Sequence, residues 1–496
     1  MRPESLEKLP KAPSRKHKII LDAGTYGLSV YTLKILGVFN KFLLLKFLGP
    51  VQVGMWQFLA MLVDWGEYSN LGVSNSVMQH IPRAIARHEI DKARHIEDLA
   101  FTFTFITALI FSGGAVLFAL LNRQTLTPVL FKALIMIAGF IFVQQLANVV
   151  SFLLKSYQKF QFLSALNFVT GFSLIVLTVI FASKWKIHGW IFALVCANLL
   201  WLVLSIGKIP AIRFCPIRKE ISGLILSGLS LIGLEVVVSS FRTVDRFFIS
   251  HMLGFHEMGF YSLALTASTG MHLFPYALGI VTFPHYQQEY TKRWNAKDVK
   301  PLVSKPMLVL IYTLPFLISF GWILLPQFLS AWLPTFIPGL EAARFLILGS
   351  YFLCLTQPLT AFLVTVHREL YLFLGAGLII GTLALAEFLL IKNGAGIAAI
   401  AIASSGAFFC YFSWAFYLSL RSFRGSQNFR TIYFKALIIF GYVSLLLFFL
   451  DKYHLDFVPS LLVLSIVLAP LLFAMERETR IFSAIGELWA KRNIKK

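Results

Sequence analysis

The chain has 496 residues, of which 58% are hydrophobic, and its formal net charge at pH 7 is +21. Soluble domains average about 45–50% apolar residues, so the composition excludes the roughly three soluble domains that the length alone would suggest. Apolar runs of about 20 residues, enough to cross a bilayer, recur along almost the whole chain. They predict an all-α polytopic membrane protein.

Taken in chain order, the apolar runs predict about fourteen transmembrane helices. Their expected ranges are 20–45, 53–80, 99–121, 129–154, 162–183, 189–207, 222–250, 257–286, 306–325, 341–366, 370–391, 395–419, 432–450 and 457–474. These runs leave no room for a soluble catalytic domain.

The basic residues, 44 Lys and Arg in all, concentrate in the two tails and in alternate connections between the predicted spans. Only six lie in connections on the opposite side: Lys46, Arg123, Lys184, Lys186, Lys392 and Lys452. Basic flanks stay on the cytoplasmic side of a membrane, so both termini are predicted to be cytoplasmic. The same distribution argues against a nucleic-acid partner and favours contact with anionic membrane lipids.

A short stretch near the N-terminus occurs a second time in the middle of the chain with the same spacing. The equivalent pairs are Lys41 and Arg246, Leu48 and Leu253, Gly49 and Gly254, Gly54 and Gly259, and Trp56 and Tyr261. Each copy places a cation inside an apolar helix, then a glycine turn, then another apolar helix. An internal duplication in a membrane protein indicates two halves arranged around a path.

Charged side chains inside the predicted spans carry most of the functional signal. A charge at the bilayer centre costs about 2.5–3.5 kcal/mol on insertion scales, so such residues face a polar interior and mark pathways. The candidates for substrate binding are Lys34, Lys41, Arg242 and Arg246. The candidates for lumen acids or coupling sites are Asp64, Glu67, Glu235 and Asp245.

The type and spacing of the basic candidates indicate an anionic substrate. Lys34 and Lys41 share one face of the first helix, and Arg242 and Arg246 are one turn apart. Guanidinium groups fit phosphate oxygens in pairs and lysines add point charge, so a cavity lined by both predicts a phosphate-bearing substrate. Ion pairs of Asp245 with Arg246, or of Lys34 with Asp64, stay open as alternatives.

Motifs of soluble enzymes are absent from the sequence. It has no GxxxxGK[ST] phosphate loop, no GxSxG elbow and no zinc-binding helix, so no catalytic residue, metal or cofactor is predicted. A membrane glycosyltransferase or glycan polymerase is an alternative, but it would be expected to expose a large basic or histidine-bearing outer loop. The longest predicted outer loop, Pro326 to Leu340, has no charged residue.

Two segments resemble the signatures of a known family. Leu48–Trp56, followed by Asn70–Val73, is similar to the N-terminal signature of polysaccharide (O-antigen, Wzx-type) flippases, and Val244–Ser262 is similar to their central signature. These flippases belong to the multidrug/oligosaccharidyl-lipid/polysaccharide exporter superfamily. The architectural resemblance covers about residues 20–420. Lys34 and Lys41 stand where a related peptidoglycan-precursor flippase has an arginine-rich cavity.

The resemblance implies two pseudo-symmetric six-helix lobes, two appended helices and two basic cytoplasmic tails. The corresponding ranges are 19–210 and 211–420 for the lobes, 421–475 for the appended helices, and 1–18 and 476–496 for the tails.

It also implies a flippase that moves undecaprenyl-pyrophosphate-linked oligosaccharide across the bacterial cytoplasmic membrane by alternating access, during synthesis of surface polysaccharide such as lipopolysaccharide. Polysaccharide polymerase machinery would be a partner. A cation-coupled drug antiporter of the same superfamily is the alternative, and the cationic helix faces disfavour it.

Overall fold

The computed structural model describes residues 15–208, 212–217, 220–423, 427–453 and 457–479, and within these ranges it contains helices and no β-strand. This confirms the predicted all-α class. The helices are α1 (Arg15–Glu67), α2 (Val73–Ala86), α3 (Ile90–Leu121), α4 (Pro128–Ser156), α5 (Phe160–Ser205), α6 (Ile221–Phe248), α7 (Phe255–Met271), α8 (Leu273–Arg293), α9 (Ala296–Trp332), α10 (Leu340–Thr365), α11 (Glu369–Lys392), α12 (Ile397–Ser422), α13 (Gln427–Lys452) and α14 (Phe457–Thr479).

Ten helical segments of the described residues are long and apolar enough to cross a membrane. Two of them, Gly27–Ala86 with 60 residues and Phe160–Lys208 with 49, exceed twice the length of one crossing, which is about 20 residues. Each contains a residue with a non-helical backbone, Gly49 in the first and Lys186 in the second. The chain is therefore a multi-pass membrane protein, whereas the total of fourteen spans and the cytoplasmic location of the termini stay predictions.

The repeated glycine turn has nearly the same backbone conformation in both copies. Gly49 has φ 73° and ψ 168°, and its equivalent, Gly254, has φ 93° and ψ 172°. Only glycine adopts this region without strain. After the first turn, Pro50 cannot donate a backbone hydrogen bond, so it suits the first position of a restarting helix. The duplication predicted from the sequence is thus confirmed at the turn.

The helices divide into two compact units. One unit contains the chain up to Asn40 together with Trp65–Ile232, and the other contains Lys41–Asp64 together with the chain from Gly233 onward. Helix α1 therefore contributes to both units, because its kinked middle belongs to the second. The lobe boundaries implied by the family resemblance stay a prediction.

Helix α10 is the central packing element of the second unit. It contacts α7, α8, α9, α11 and α12, and most of its side chains are buried. Its closest approach is to α12, where a methyl group added at Gly349 would lie 2.1 Å from the Ser405 hydroxyl oxygen. Small residues at such positions let helices in a membrane approach closely. This packing fixes α12 next to the candidate site described below.

Candidate functional site

The two copies of the repeated turn pack directly against each other. A Cβ atom added at Gly54 would lie 1.8 Å from the carbonyl oxygen of Phe255, and one added at Gly259 would lie 2.0 Å from the carbonyl oxygen of Pro50. The contacts are reciprocal, because Pro50 and Phe255 are equivalent positions, as are Gly54 and Gly259. Backbones meet this closely only where a side chain is missing. These glycines therefore hold the two turns together.

Helix α6 presents the two candidate charges just before the second turn. It ends in one turn of π-helix, Ile249–Leu253, which is closed by Gly254. Short π-helical turns are frequent at functional sites. Asp245 and Arg246 precede this turn, and consecutive residues of a helix point about 100° apart. Their side chains therefore meet different neighbours.

Arg246 forms an ion pair with Asp64 of α1. Its Nη1 atom donates to Asp64 Oδ2 at 2.6 Å, and the side chains are 10% and 38% exposed, respectively. The sequence left open an ion pair between Asp245 and Arg246, and this pair does not form. The buried Nε of Arg246 has no hydrogen-bond partner among the described residues. One edge of the guanidinium group is thus buried without an acceptor, whereas Asp64 remains partly accessible.

Asp245 lies in a separate, buried cluster with neutral donors. Ser404 of α12 donates to Asp245 Oδ1 at 2.8 Å and contacts Glu387 Oε1 of α11 at 3.4 Å. Tyr261 of α7 donates to Asp245 Oδ2. Asp245 is 2% exposed and Glu387 is fully buried. Two carboxyl groups therefore share one hydroxyl group inside the second unit.

The cluster is one hydrogen-bond donor short of satisfying its two carboxyl groups. The Ser404 hydroxyl has a single hydrogen, so it cannot donate fully to both carboxyl groups. Glu387 Oε2 also has no partner among the described residues. Two adjacent charged carboxylates are strongly disfavoured in a buried site, so the arrangement suits a bound proton or a monovalent cation.

The remaining predicted site residues are distributed over both units. Lys41 and Arg242 are half-buried in the second unit, where Glu235 is exposed; Lys34 is half-buried in the first unit, where Glu67 is exposed. All five take part in further interactions of their own. The predicted convergence of cations from both helices on one cavity stays a prediction.

The roles of Glu387, Ser404 and Tyr261 were not predicted. Glu387 is visible in the sequence as an acid inside an apolar run, but nothing there ties it to Asp245, which is more than a hundred residues away. Tyr261 lies within the repeated stretch, where Trp56 is its equivalent. The two copies of the repeat therefore differ here, with a hydroxyl-bearing ring in place of an indole, and this difference was the sequence feature that pointed to a separate role for Tyr261.

The fold is shared with solved transporters and flippases of low sequence identity. An inward-closed structure of the lipid II flippase MurJ matches with a TM-score of 0.67 and 13% identity, covering 91% of this chain and 99% of that chain. An inward-facing multidrug resistance MATE family transporter of the MOP superfamily matches with a TM-score of 0.66 and 14% identity, covering 82% and 99%. A mutant of the Vibrio cholerae MATE transporter VcmN matches with a TM-score of 0.58 and 12% identity, covering 83% and 97%.

Comparison by sequence gives no match: no protein-family profile matches the chain, and no curated protein matches it. The chain shares the fold of the lipid II flippase MurJ and of MATE family transporters.

Proposed function

We propose that this protein is a flippase that moves a lipid-linked oligosaccharide carrying a pyrophosphate group, of the undecaprenyl-pyrophosphate type, across a bacterial cytoplasmic membrane. Two features support the proposal: the fold shared with the lipid II flippase over almost the full length of both chains, and the cations inside apolar helices. Both termini would be cytoplasmic, with surface polysaccharide biosynthesis as the process and a polysaccharide polymerase as a partner.

The observation that carries the proposal is the environment of Arg246. Its side chain is 10% exposed and belongs to an apolar helix, yet its Nε donor is unpartnered among the described residues. Guanidinium groups bind phosphate through two parallel donors, so this edge fits a phosphate oxygen. Asp64 balances the charge while no substrate is bound, and its accessible carboxylate can yield its place when an anion arrives.

Alternating access needs an element that closes one end of the path and opens again. The reciprocal contact of the two glycine turns has the properties of such an element. At the contact points a glycine of each copy meets a backbone carbonyl of the other, and the partners come from equivalent positions of the repeat. We propose that these turns separate when the outward side opens.

The test uses the full-length protein in proteoliposomes with fluorescent undecaprenyl-pyrophosphate disaccharide and a dithionite-type quenching assay for translocation. Removing a donor to a buried or partly buried charged group costs about 1.5–3 kcal/mol, which corresponds to about 10- to 150-fold. Arg246→Ala is expected to lower the translocation rate within that range. Arg246→Lys is expected to keep an intermediate rate, because it restores the charge but not the paired donors.

Arg344→Ala is the matched control. Arg344 lies near the start of an apolar helix. Like Arg246, it pairs with an aspartate (Asp451, at 2.8 Å) and has an Nε without a partner in the described part of the chain. Its loss is expected to leave translocation within about twofold, since Asp451 is exposed and exposed pairs contribute little. Equal losses in Arg246→Ala and Arg344→Ala, or an unchanged rate in Arg246→Ala at equal protein levels, would contradict the proposal.

The buried cluster of Asp245 and Glu387 supports a second part of the proposal: proton or monovalent-cation coupling of transport. The cluster lacks one hydrogen-bond donor, and a proton or monovalent cation that fills this position would exchange there during transport. A cation-coupled drug antiporter, the second candidate function, would use the same cluster. Export of a cationic dye such as ethidium from the proteoliposomes, with no movement of the lipid, would favour the antiporter over the flippase.

A further inference from the structure

A cavity in the first unit is lined by amide and hydroxyl side chains. It has a volume of about 290 Å³ and lies among α1, α4 and the two halves of α5. The polar residues that line it are Asn40, Asn148, Ser151, Asn167, Thr170 and Asn198. Its size is near the lower end of the range for small-molecule sites, about 300–1,000 Å³.

Asn40 is the residue that indicates a ligand. It is 2% exposed, and neither its amide nitrogen nor its amide oxygen has a hydrogen-bond partner among the described residues. Buried polar groups are normally paired, so one that is not requires an explanation. A side chain with both functions unpaired, on the wall of a cavity, is explained by a ligand that supplies both a donor and an acceptor.

The chemistry of the cavity selects an uncharged polar ligand. The described residues that line it include no Asp, Glu, Lys, Arg or His. An amide offers two donors and an acceptor, which match the hydroxyl and acetamido groups of a sugar. Trp201, 8% exposed, adds an indole to the same wall, and an aromatic ring packs on the apolar face of a sugar ring.

We infer that this cavity, the asparagine cavity, binds one sugar unit of the lipid-linked glycan, a hexose or N-acetylhexosamine. The inference rests on the proposed flippase function and names the part of the substrate that the first compact unit of the protein recognises. Lys34 lies three residues before Gly37, which lines the cavity, so the two positions share a helix face. A phosphate at Lys34 would leave the adjoining sugar next to the cavity.

The experiment measures the melting temperature of the purified full-length protein in a sugar-free detergent with two probes, undecaprenyl pyrophosphate and undecaprenyl pyrophosphate-N-acetylglucosamine. The bare lipid is expected to raise the melting temperature through the cationic groups, and the sugar is expected to raise it further. Asn40→Leu and Asn148→Ala are each expected to reduce the additional rise. The loss of one neutral hydrogen bond corresponds to about a two- to tenfold weaker affinity.

Asn122→Ala is the matched control, because the Asn122 amide donates to a carbonyl of its own helix end, that of Phe118 at 2.9 Å, and Asn122 is not part of the cavity lining. It is expected to keep the full additional rise. Asn40→Leu without ligand is expected to melt no lower than wild type, since it removes a buried group that has no partner among the described residues. A lower melting temperature would show that Asn40 has a structural role and would overturn the inference.

The outcomes separate the two proposals. No shift with either lipid would contradict the flippase function. A shift with the bare lipid but no additional rise with the sugar, or an additional rise of wild-type size in both asparagine variants, would overturn the sugar site alone. Saturation-transfer NMR with free N-acetylglucosamine tests the cavity without the lipid: signal transfer from wild type that is lost in Asn40→Leu supports the site, and its absence from wild type contradicts it.

Discussion

Asp245 and Arg246 are neighbours in the chain, yet their surroundings are opposite. Arg246 is paired with a half-exposed carboxylate and keeps one edge without a partner among the described residues. Asp245 is buried with a second acid and two hydroxyl donors. The helical rotation between consecutive residues separates them. Under the proposed function, one helix end would serve two tasks: Arg246 would contact an anion beside the partly exposed Asp64, and Asp245 would hold a proton or cation in the enclosed cluster.

Exchanging the charges of the Arg246–Asp64 pair is the strongest way to break this comparison. Arg246→Asp alone places two carboxylates together and is expected to destabilise the protein by about 1.5–3 kcal/mol, because Asp64 loses a charged donor in a partly buried pair. The double variant Arg246→Asp/Asp64→Arg is expected to recover most of the melting temperature but not the translocation rate, because the guanidinium group has left α6. Recovery of both would show that Arg246 is only a structural partner of Asp64.

Neutralising the enclosed acids tests the other side of the comparison. Asp245→Asn and Glu387→Gln are expected to reduce translocation driven by a pH or sodium gradient by more than about tenfold, the effect of removing a charged partner. Translocation without a gradient is expected to be nearly unchanged. The measurement is the translocation rate in proteoliposomes with and without each gradient. Equal reductions with and without a gradient would contradict a coupling role.

The Ser404 hydroxyl joins the two carboxyl groups, so its removal sharpens the comparison. Ser404→Ala is expected to lower stability by about 1–3 kcal/mol, since Asp245 loses a donor in a buried site. Ser422→Ala is the control: its hydroxyl donates to the Leu418 carbonyl of its own helix, and its loss is expected to change stability by less than about 0.5 kcal/mol. Chemical denaturation in mixed micelles compares them, and a smaller effect at Ser404 would contradict the bridging role.

The smallest expected effect is at Tyr261. Tyr261→Phe removes one of the two hydroxyl donors to Asp245 and is expected to lower stability by about 1 kcal/mol. Tyr411→Phe is the matched control, because the Tyr411 hydroxyl is also buried but has no partner in the described part of the chain, so its removal is expected to be neutral or stabilising. The same denaturation experiment decides: equal behaviour of the two variants would show that the Tyr261 bond to Asp245 contributes nothing.

Much of the fold was predictable because membrane insertion imposes strong local rules. The length of the apolar runs predicts spanning helices, and glycine at equivalent positions predicts equivalent turns; Gly49 and Gly254 indeed share one conformation. The two copies of the repeat differ in the sequence at Trp56 and Tyr261, but the sequence did not show that the tyrosine hydroxyl would donate a hydrogen bond to Asp245.

The candidate site was predictable only as a set of charges. Charged residues inside apolar runs indicated Asp64, Asp245 and Arg246, because each carries an insertion cost that needs a reason. Asparagines cost less to insert than charged residues, so their presence in apolar runs did not predict the polar wall around Asn40. Asn148, Asn167 and Asn198 lie in apolar runs as well.

The sequence by itself determined that the chain is an all-α membrane protein, that a glycine turn is duplicated, and which charges lie inside apolar runs. These are properties of single helices and of local backbone geometry. Only the tertiary structure decided that Arg246 pairs with Asp64, that Asp245 joins Glu387 through Ser404, and that Asn40 lines a polar cavity. The physical reason is that each of these contacts joins different helices, and the rotation of a helix against its neighbours is fixed by packing rather than by any single segment.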